Sequence, residues 1–581
     1  MEQREDKTTT TAADGGGGDV WGDDERTRGL EGAAVKRGEG NHTQEKAKQR
    51  KEDDGPRAVK VAMDVPLPGR GQCDVNIFLD RVDADNNSGD ASDDEREDDN
   101  DHHDNEAGSA GQQKEQQGKP VHASADDHHR ESLQQTDRPY IRVWSTFDSG
   151  NLQAVQAVEV PTRDNDMTLH LEAEVSPDIL ARASQRELKT WFYFKVTRLD
   201  PSRVHTLRVT LTNMTKQLRL YNQGLTPIVY RQHKGQQSGR WGRYCSSVDA
   251  ELDDDGDFLL SFTYVVDDTH TRDSIVGFAF CYPFSYTECE HMLASYDKRF
   301  NHEASAADAG VYFHREVVCK SRDGRSVHLV TITANDDGLS VDQREPRIPP
   351  LFPDRNTKRP RVAPDRPVFF VSARVHPGET PASHVCNGII DFVLNTEDAR
   401  ACALRSMFVF KIIPMLNPDG VARGHYRGDS HGLNLNRFYN NPCPTTHPSI
   451  FASKVLTSFY SQQQAGLAFY IDTHGHATKR GCFLYGNCLE SARHIDNVTY
   501  AKLAELNSPH FDFGCCNFSE KNMFSKDKRD GLSKEGSGRV SEFRQRLAYQ
   551  PEVDESEVGE YRIAIQMTIL MNAPEKERLC T

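Results

Sequence analysis

Val371-Ser372-Ala373-Arg374-Val375-His376-Pro377-Gly378-Glu379-Thr380 lies between two apolar runs of different character. Before it, Pro367-Val368-Phe369-Phe370-Val371 is short, β-branched and aromatic, and reads as a buried strand. After it, Gly388-Ile389-Ile390-Asp391-Phe392-Val393-Leu394 has helical length and spacing. His376 and Glu379 therefore fall in a strand-to-helix turn at the carboxyl end of a strand, where open α/β sheets place their ligands. An imidazole and a carboxylate three positions apart can both reach one ion of Zn²⁺ size, leaving positions for a distant ligand and a water. Alone the pair is weak, because most such pairs are solvated loop residues or local ion pairs.

A second apolar strand, Leu467-Ala468-Phe469-Tyr470-Ile471, runs into Asp472-Thr473-His474-Gly475-His476. His474 can supply a third ligand, giving a His₂Glu set with an open position, the pattern of a catalytic zinc. The plainer alternative is a hydrogen bond between Asp472 and His474 at a strand end. Three ligand-type residues at strand ends of one domain favour the metal.

The 581 residues suffice for two or more cored domains, and the net charge of −17 is concentrated early in the chain. Residues 1–138 are poor in apolar side chains and are expected to be a disordered acidic tail, since they cannot bury enough surface to offset ordering entropy. Such acidic blocks argue against a nucleic-acid partner. The 13 cysteines lack zinc-ribbon spacing and the N-terminus is polar, so reduced thiols in a cytoplasmic protein are expected. No apolar run reaches membrane-spanning length, so no membrane partner is expected.

Residues 139–300 carry short runs of strand composition. They include Ala154-Val155-Gln156-Ala157-Val158, Leu207-Arg208-Val209-Thr210-Leu211 and Phe258-Leu259-Leu260-Ser261-Phe262-Thr263. Turn residues separate the runs, and an all-β sandwich is expected, with Trp191 in its core. Residues 301–581 alternate strands and helices, which predicts an α/β fold with helices on both faces of a sheet.

His376-Pro377-Gly378-Glu379, Asn417-Pro418-Asp419-Gly420, Asn434-Leu435-Asn436-Arg437 and Asp472-Thr473-His474-Gly475-His476 occur in the order seen in M14 zinc carboxypeptidases, and the chain resembles that family. More narrowly, Arg374-Val375-His376-Pro377-Gly378-Glu379-Thr380-Pro381, Arg423-Gly424-His425-Tyr426-Arg427 and Phe518-Ser519-Glu520-Lys521-Asn522-Met523 resemble the cytosolic carboxypeptidases that trim glutamate from tubulin, type 5 branch. The resemblance implies a mixed eight-stranded sheet flanked by helices and one zinc ion on His376, Glu379 and His474. It implies substrate binding by Asn436, Arg437 and Arg539, with Arg427 stabilising the oxyanion.

Arg539 occupies the place whose basic residue pairs with a glutamate side chain, with a fold-supporting salt bridge as its alternative. The implied partners are glutamylated C-terminal tails, those of tubulin and microtubules above all, with branch-point glutamate among the targets. The implied location is the cytoplasm, with cytoskeletal or nuclear association. Asn434 departs from the broader family, which has Asp there to brace a zinc imidazole; Asn adds no negative charge, which predicts a less basic ligand.

After Val540 the resemblance stops. The family continues to a Ser-Tyr-Thr-Leu-Glu segment whose glutamate is the general base. Here Ala548-Tyr549-Gln550-Pro551-Glu552 echoes it, and Glu552 is the nominal base. Tyr561 to Met571 reads as an apolar helix or strand. A divergent end, an inactive zinc-binding relative that holds glutamylated tails without cleaving them, and a mispredicted final exon compete as readings. The abruptness of the change favours the last.

Overall fold

In the computed structural model, residues 72–78, 140–158, 168–300, 310–542 and 563–570 are described, apart from positions 183, 184, 186, 477, 478, 480, 490, 491, 528 and 529. Strand pairing begins inside the stretch expected to be a disordered tail, at β1 (Asp74–Phe78). Cys73, Val75 and Ile77 point inward at 4%, 6% and 0% exposure, the alternation of a strand with one buried face, and β1 stands at the edge of its sheet. The rest of residues 1–138 lies outside the described residues.

The following strands are β2 (Tyr140–Trp144), β3 (Ala154–Val158), β4 (Thr168–Glu174), β5 (Tyr193–Thr197) and β6 (Thr206–Leu211). After the short helix α1 (Leu218–Asn222) come β7 (Ile228–Gln232), β8 (Arg240–Gly242), β9 (Cys245–Leu252), β10 (Phe258–Val265) and β11 (Ile275–Ala279). They form a six-stranded sheet in the order β1-β2-β5-β11-β7-β8 and a five-stranded sheet in the order β3-β4-β6-β10-β9. Aromatic rings fill the space between: Phe192 stacks on Phe262 at 6.2 Å, and Phe278 meets Phe262 at 5.3 Å. Trp191 is a core residue, as expected, with its indole N–H donating to the Ser149 carbonyl at 2.8 Å.

Beyond α2 (Tyr286–Phe300) the chain forms β12 (Val311–Lys320), β13 (Ser326–Ala334), β14 (Val368–Ala373), α3 (Pro381–Leu394), α4 (Ala399–Met407), β15 (Val409–Ile413) and α5 (Pro418–Ala422). Then follow α6 (Pro448–Ser461), β16 (Leu467–His476), β17 (Cys482–Tyr485), α7 (Ala492–Asn507), α8 (Glu520–Phe524) and β18 (Ile563–Leu570). The sheet order is β12-β13-β15-β14-β16-β18-β17, seven strands among the described residues against the eight implied. The central pairs β14–β15, β14–β16 and β16–β18 are parallel, and the outer pairs are antiparallel. The mixed α/β sheet is thus present.

Period-2 alternation along β14 feeds two cores. Val368 and Phe370 pack with Ile450, Leu456 and Tyr460 of α6, while Val371 and Ala373 pack with Leu293 of α2 and Ile390 and Val393 of α3. Helices therefore cover both faces. The choice left open for residues 561–571 is resolved as strand: β18 enters the sheet beside β16, with Gln566 in register with Asp472.

A candidate metal centre and its arginines

β14 ends at Ala373, and the next residue, Arg374, has a left-handed φ of 57°, a conformation that costs a non-glycine residue about 1 kcal/mol or more. Its side chain repays this by tying the turn together. The buried guanidinium donates to the Pro377 carbonyl from Nε at 3.0 Å and Nη2 at 2.7 Å, and to Ser383 Oγ and the Phe284 carbonyl from Nη1, both at 2.9 Å. Gly378 donates its N–H to the Tyr426 carbonyl at 2.8 Å, and a Cβ there would lie 2.4 Å from the Tyr426 ring, so only glycine fits. Pro381 then opens α3 at a position where its missing N–H is harmless.

This turn aims His376 and Glu379 at His474, near the end of β16. Their ligand-type atoms all lie within 4.8 Å of one another. His376 Nδ1 is 3.0 Å from Glu379 Oε1, and His474 Nδ1 is 2.9 Å from Glu379 Oε2. Ligands about 2 Å from a tetrahedral zinc stand about 3.3 Å apart, so the spacing suits such an ion. His376 Nδ1 is also a buried nitrogen with no hydrogen-bond partner despite its closeness to Glu379. An orphaned nitrogen beside the ligand atoms of Glu379 and His474 fits a divalent cation.

The outer nitrogens are braced. His474 Nε2 lies 2.7 Å from Asp472 Oδ2, and Ser372 Oγ donates to Asp472 Oδ1 at 2.7 Å. His376 Nε2 donates to Asn434 Oδ1 at 3.0 Å, so Asn434 braces the imidazole as expected. The Asp472–His474 hydrogen bond, weighed above as an alternative to the metal, coexists with the ligand set. Burial pulls the His376 imidazole down to about 4. Burial also acts against a charged His474, but Asp472 and Glu379 outweigh it and raise the group to about 9. Burial acts to raise Glu379, yet His376 and His474 hold it well below the usual carboxylate range.

Beside this cluster two arginines share one carboxylate. Arg427 Nη2 lies 2.9 Å and Arg437 Nη2 2.6 Å from Asp527 Oδ2, while Arg427 Nη1 is 3.8 Å from Glu379 Oε1. Arg437 also donates from Nη1 to the Asn436 carbonyl at 2.7 Å. Asn436 turns its side-chain oxygen to the Gly538 N–H at 3.1 Å, so it secures the segment that carries Arg539.

Arg539 is 2% exposed. Its Nη1 donates to the Gly486 carbonyl and to Asn487 Oδ1, its Nη2 to Asn522 Oδ1 at 3.0 Å, and its Nε has no partner. Among the described residues no carboxylate pairs with it. Burial draws this guanidinium down to about 10. Glu552 lies outside the described residues.

Four residues of the site escaped the sequence reading. Arg374 stood inside a quoted motif without a role; Asp178, Asp527 and Asp530 come from distant segments that carry no motif.

Residues 305–487 match the family model of zinc carboxypeptidases, M14, and residues 143–280 match that of the cytosolic carboxypeptidase N-terminal domain. The chain is similar to cytosolic carboxypeptidase-like protein 5 of Danio rerio, 38% identical over 511 residues that cover 68% of this chain and 56% of that protein. For the Homo sapiens protein of that name the identity is 37%, covering 69% and 56%. Cytosolic carboxypeptidase 6 of Homo sapiens is 31% identical, covering 64% and 65%. The chain thus spans little more than half the length of the first two relatives. In fold it is similar to a metallo-carboxypeptidase from Burkholderia cenocepacia, with a TM-score of 0.50 at 16% identity, covering 74% of this chain and 90% of that one.

Proposed function

We propose, from the premise that this chain belongs to the M14 zinc carboxypeptidase family and carries the cytosolic carboxypeptidase N-terminal domain, that it removes glutamate from glutamylated protein tails. The observation that carries this reading is Arg539, a buried cation without a carboxylate partner among the described residues. A desolvated charge is stable only when paired, and a glutamate side chain supplies the missing anion.

His376, Glu379 and His474 would hold one zinc ion. When bound, zinc supplies a Lewis acid for the scissile carbonyl and lowers the pKa of a coordinated water. The chain's own residues do the rest. Arg437, with Asn436 beside it, receives the terminal carboxylate through its planar fork. The Asp527 carboxylate 2.6 Å from Arg437 Nη2 supports that reading. Arg427 donates to the oxyanion that forms when the carbonyl is attacked. Glu552 is the proposed base on its sequence position.

Tubulin tails are the proposed substrates, branch-point glutamate included, and the proposed setting is the cytoplasm, with cytoskeletal or nuclear association. Nucleic acid and membrane are not among the proposed partners; among the described residues no helix is long and apolar enough to cross a membrane. The division into a tail (1–138), a sandwich (139–300) and a peptidase domain (301–581) is part of the same proposal, with α2 as the connection between the last two.

A second reading, a relative that binds glutamylated tails without cleaving them, has one observation in its favour. Strand β18, which lies between β16 and β17 in the sheet, reads Ile563-Ala564-Ile565-Gln566-Met567-Thr568-Ile569-Leu570 and contains no carboxylate. One assay separates the two: glutamate release from a branched glutamyl peptide with zinc supplied, against a His376→Ala control. Release lost in the control supports the enzyme. Retention of peptide without release supports the binder.

A further inference from the structure

We propose that Asp178, a residue of the β-sandwich, is a positioning residue of the peptidase site that fixes Arg427 for its work on the oxyanion. This rests on the role given to Arg427 above. Asp178 is 5% exposed and lies 249 residues from Arg427 in the chain. Its Oδ1 accepts the Tyr426 N–H at 2.7 Å, and its Oδ2 accepts those of Arg427 at 2.7 Å and Gly428 at 3.0 Å. Three successive backbone donors thus converge on one carboxylate. Among the described residues no Lys or Arg side chain pairs with it, so its charge is balanced by peptide dipoles alone.

The grip extends to either side. Asn151 Nδ2 donates to the Gly424 carbonyl at 3.1 Å, and Ser149 donates its N–H to the Ala422 carbonyl at 3.2 Å. Gly432, at φ +77°, passes so close to the sandwich that a Cβ would stand 2.3 Å from the Ile179 carbonyl oxygen. Tyr426 packs edge-on against Phe280 at 6.0 Å and accepts the Gly378 N–H of the metal-ligand turn. A continuous path therefore runs from Asp178 through residues 426–428 to the turn bearing His376 and Glu379. A small cavity lined by Asp178, Ile179, Arg427, Gly432, Asn434 and Asp530 lies where the sandwich meets the Arg427 loop.

The backbone of Arg427 cannot shift without breaking these bonds, and its guanidinium is held 3.8 Å from Glu379 and 2.9 Å from Asp527. A misplacement of about 1 Å at such a group costs on the order of 100-fold in rate. Asp178 touches neither the metal ligands nor the place of the terminal carboxylate, so substrate affinity should survive its loss.

The test uses the full chain, zinc-loaded, as wild type, Asp178→Asn and Asp178→Glu. The turnover of a glutamyl peptide is measured, together with the affinities for glutarate and for a phosphinic glutamyl peptide whose tetrahedral anion mimics the oxyanion. In Asp178→Asn, kcat should fall about 100-fold with KM changed less than about threefold. Phosphinate affinity should fall with kcat while glutarate affinity and zinc content stay. Asp178→Glu should restore part of the loss. An unchanged kcat and phosphinate affinity in Asp178→Asn would overturn the inference, as would a loss matched by falling zinc content and melting temperature. A wild-type chain that binds both ligands but releases no glutamate refutes the enzyme reading, and the ratio of the two affinities then decides the inference by itself.

Discussion

The side-chain amide of Asn434 donates to the carboxylate of Asp530 at 2.8 Å. Since Asn434 accepts from His376 at 3.0 Å, a negative charge stands one hydrogen bond behind the neutral brace of this imidazole. The less basic ligand expected from an asparagine at this position is therefore compensated from a segment 96 residues away. Replacing Asp530 by Asn keeps the shape and removes the charge. Zinc affinity should drop about 10-fold, read by competition with a chelating dye, since supporting groups of this kind are worth about 10–100-fold. An affinity equal to the wild type would show that Asp530 merely fills space.

Asp527 neutralises Arg427 and Arg437 in the substrate-free protein and occupies the place proposed for the terminal carboxylate. In Asp527→Asn the two cations lose the carboxylate they share and keep only the longer approaches of Glu379 and Asp530, at 3.8 and 3.9 Å, so the melting temperature falls while affinity for an incoming carboxylate rises. Glutarate should raise the melting temperature of this variant more than that of the wild type, and KM should fall roughly three- to tenfold. A raised KM would instead make Asp527 an organiser of the arginines.

Arg539→Gln removes the buried charge and retains hydrogen-bonding capacity. The value of kcat/KM for a peptide ending in glutamate should fall about 100-fold, while a peptide ending in alanine should be hydrolysed at an unchanged, low rate. Equal losses on both peptides at normal zinc content would mean that Arg539 supports the fold around Gly486 and Asn487 rather than the choice of substrate.

Zinc binding should depend on pH through His474. In the metal-free protein burial opposes its charge, but Asp472 and Glu379 prevail and keep it protonated up to about 9. A zinc ligand must be neutral, so binding expels that proton. The logarithm of the affinity should rise by about one per pH unit between pH 6.5 and 9, then level off. His376, held near 4 by burial, adds nothing in that window. For the metal-free fold the sign is opposite: the stabilisation from charged His474 is complete below its unfolded value near 6.5 and is lost as pH rises through about 9. Competition titrations at three pH values suffice, and a flat profile would refute proton release from His474.

The parts of the site legible in the sequence were those whose ligands are local. His376 and Glu379 sit in one turn, and His474 ends a strand whose composition is plainly apolar. Strand β1 was missed because its alternation covers few residues inside a long polar average. Asp178 and Asp527 reach Arg427 across 249 and 100 residues, and no spacing rule reports a contact made through the fold.

By itself the sequence determined the alternation of strands and helices, the sandwich strands read from their composition, and the chemical types gathered at the strand ends. These follow from short-range periodicity and from the ligand preferences of side chains. Only the tertiary structure decided that β18 is a strand in the sheet, that Arg539 is buried with no carboxylate beside it among the described residues, and that the sandwich holds the Arg427 loop. Those outcomes depend on which distant group supplies the counter-charge or hydrogen bond for a buried one. Chain closure sets that pairing, and local pattern does not encode it.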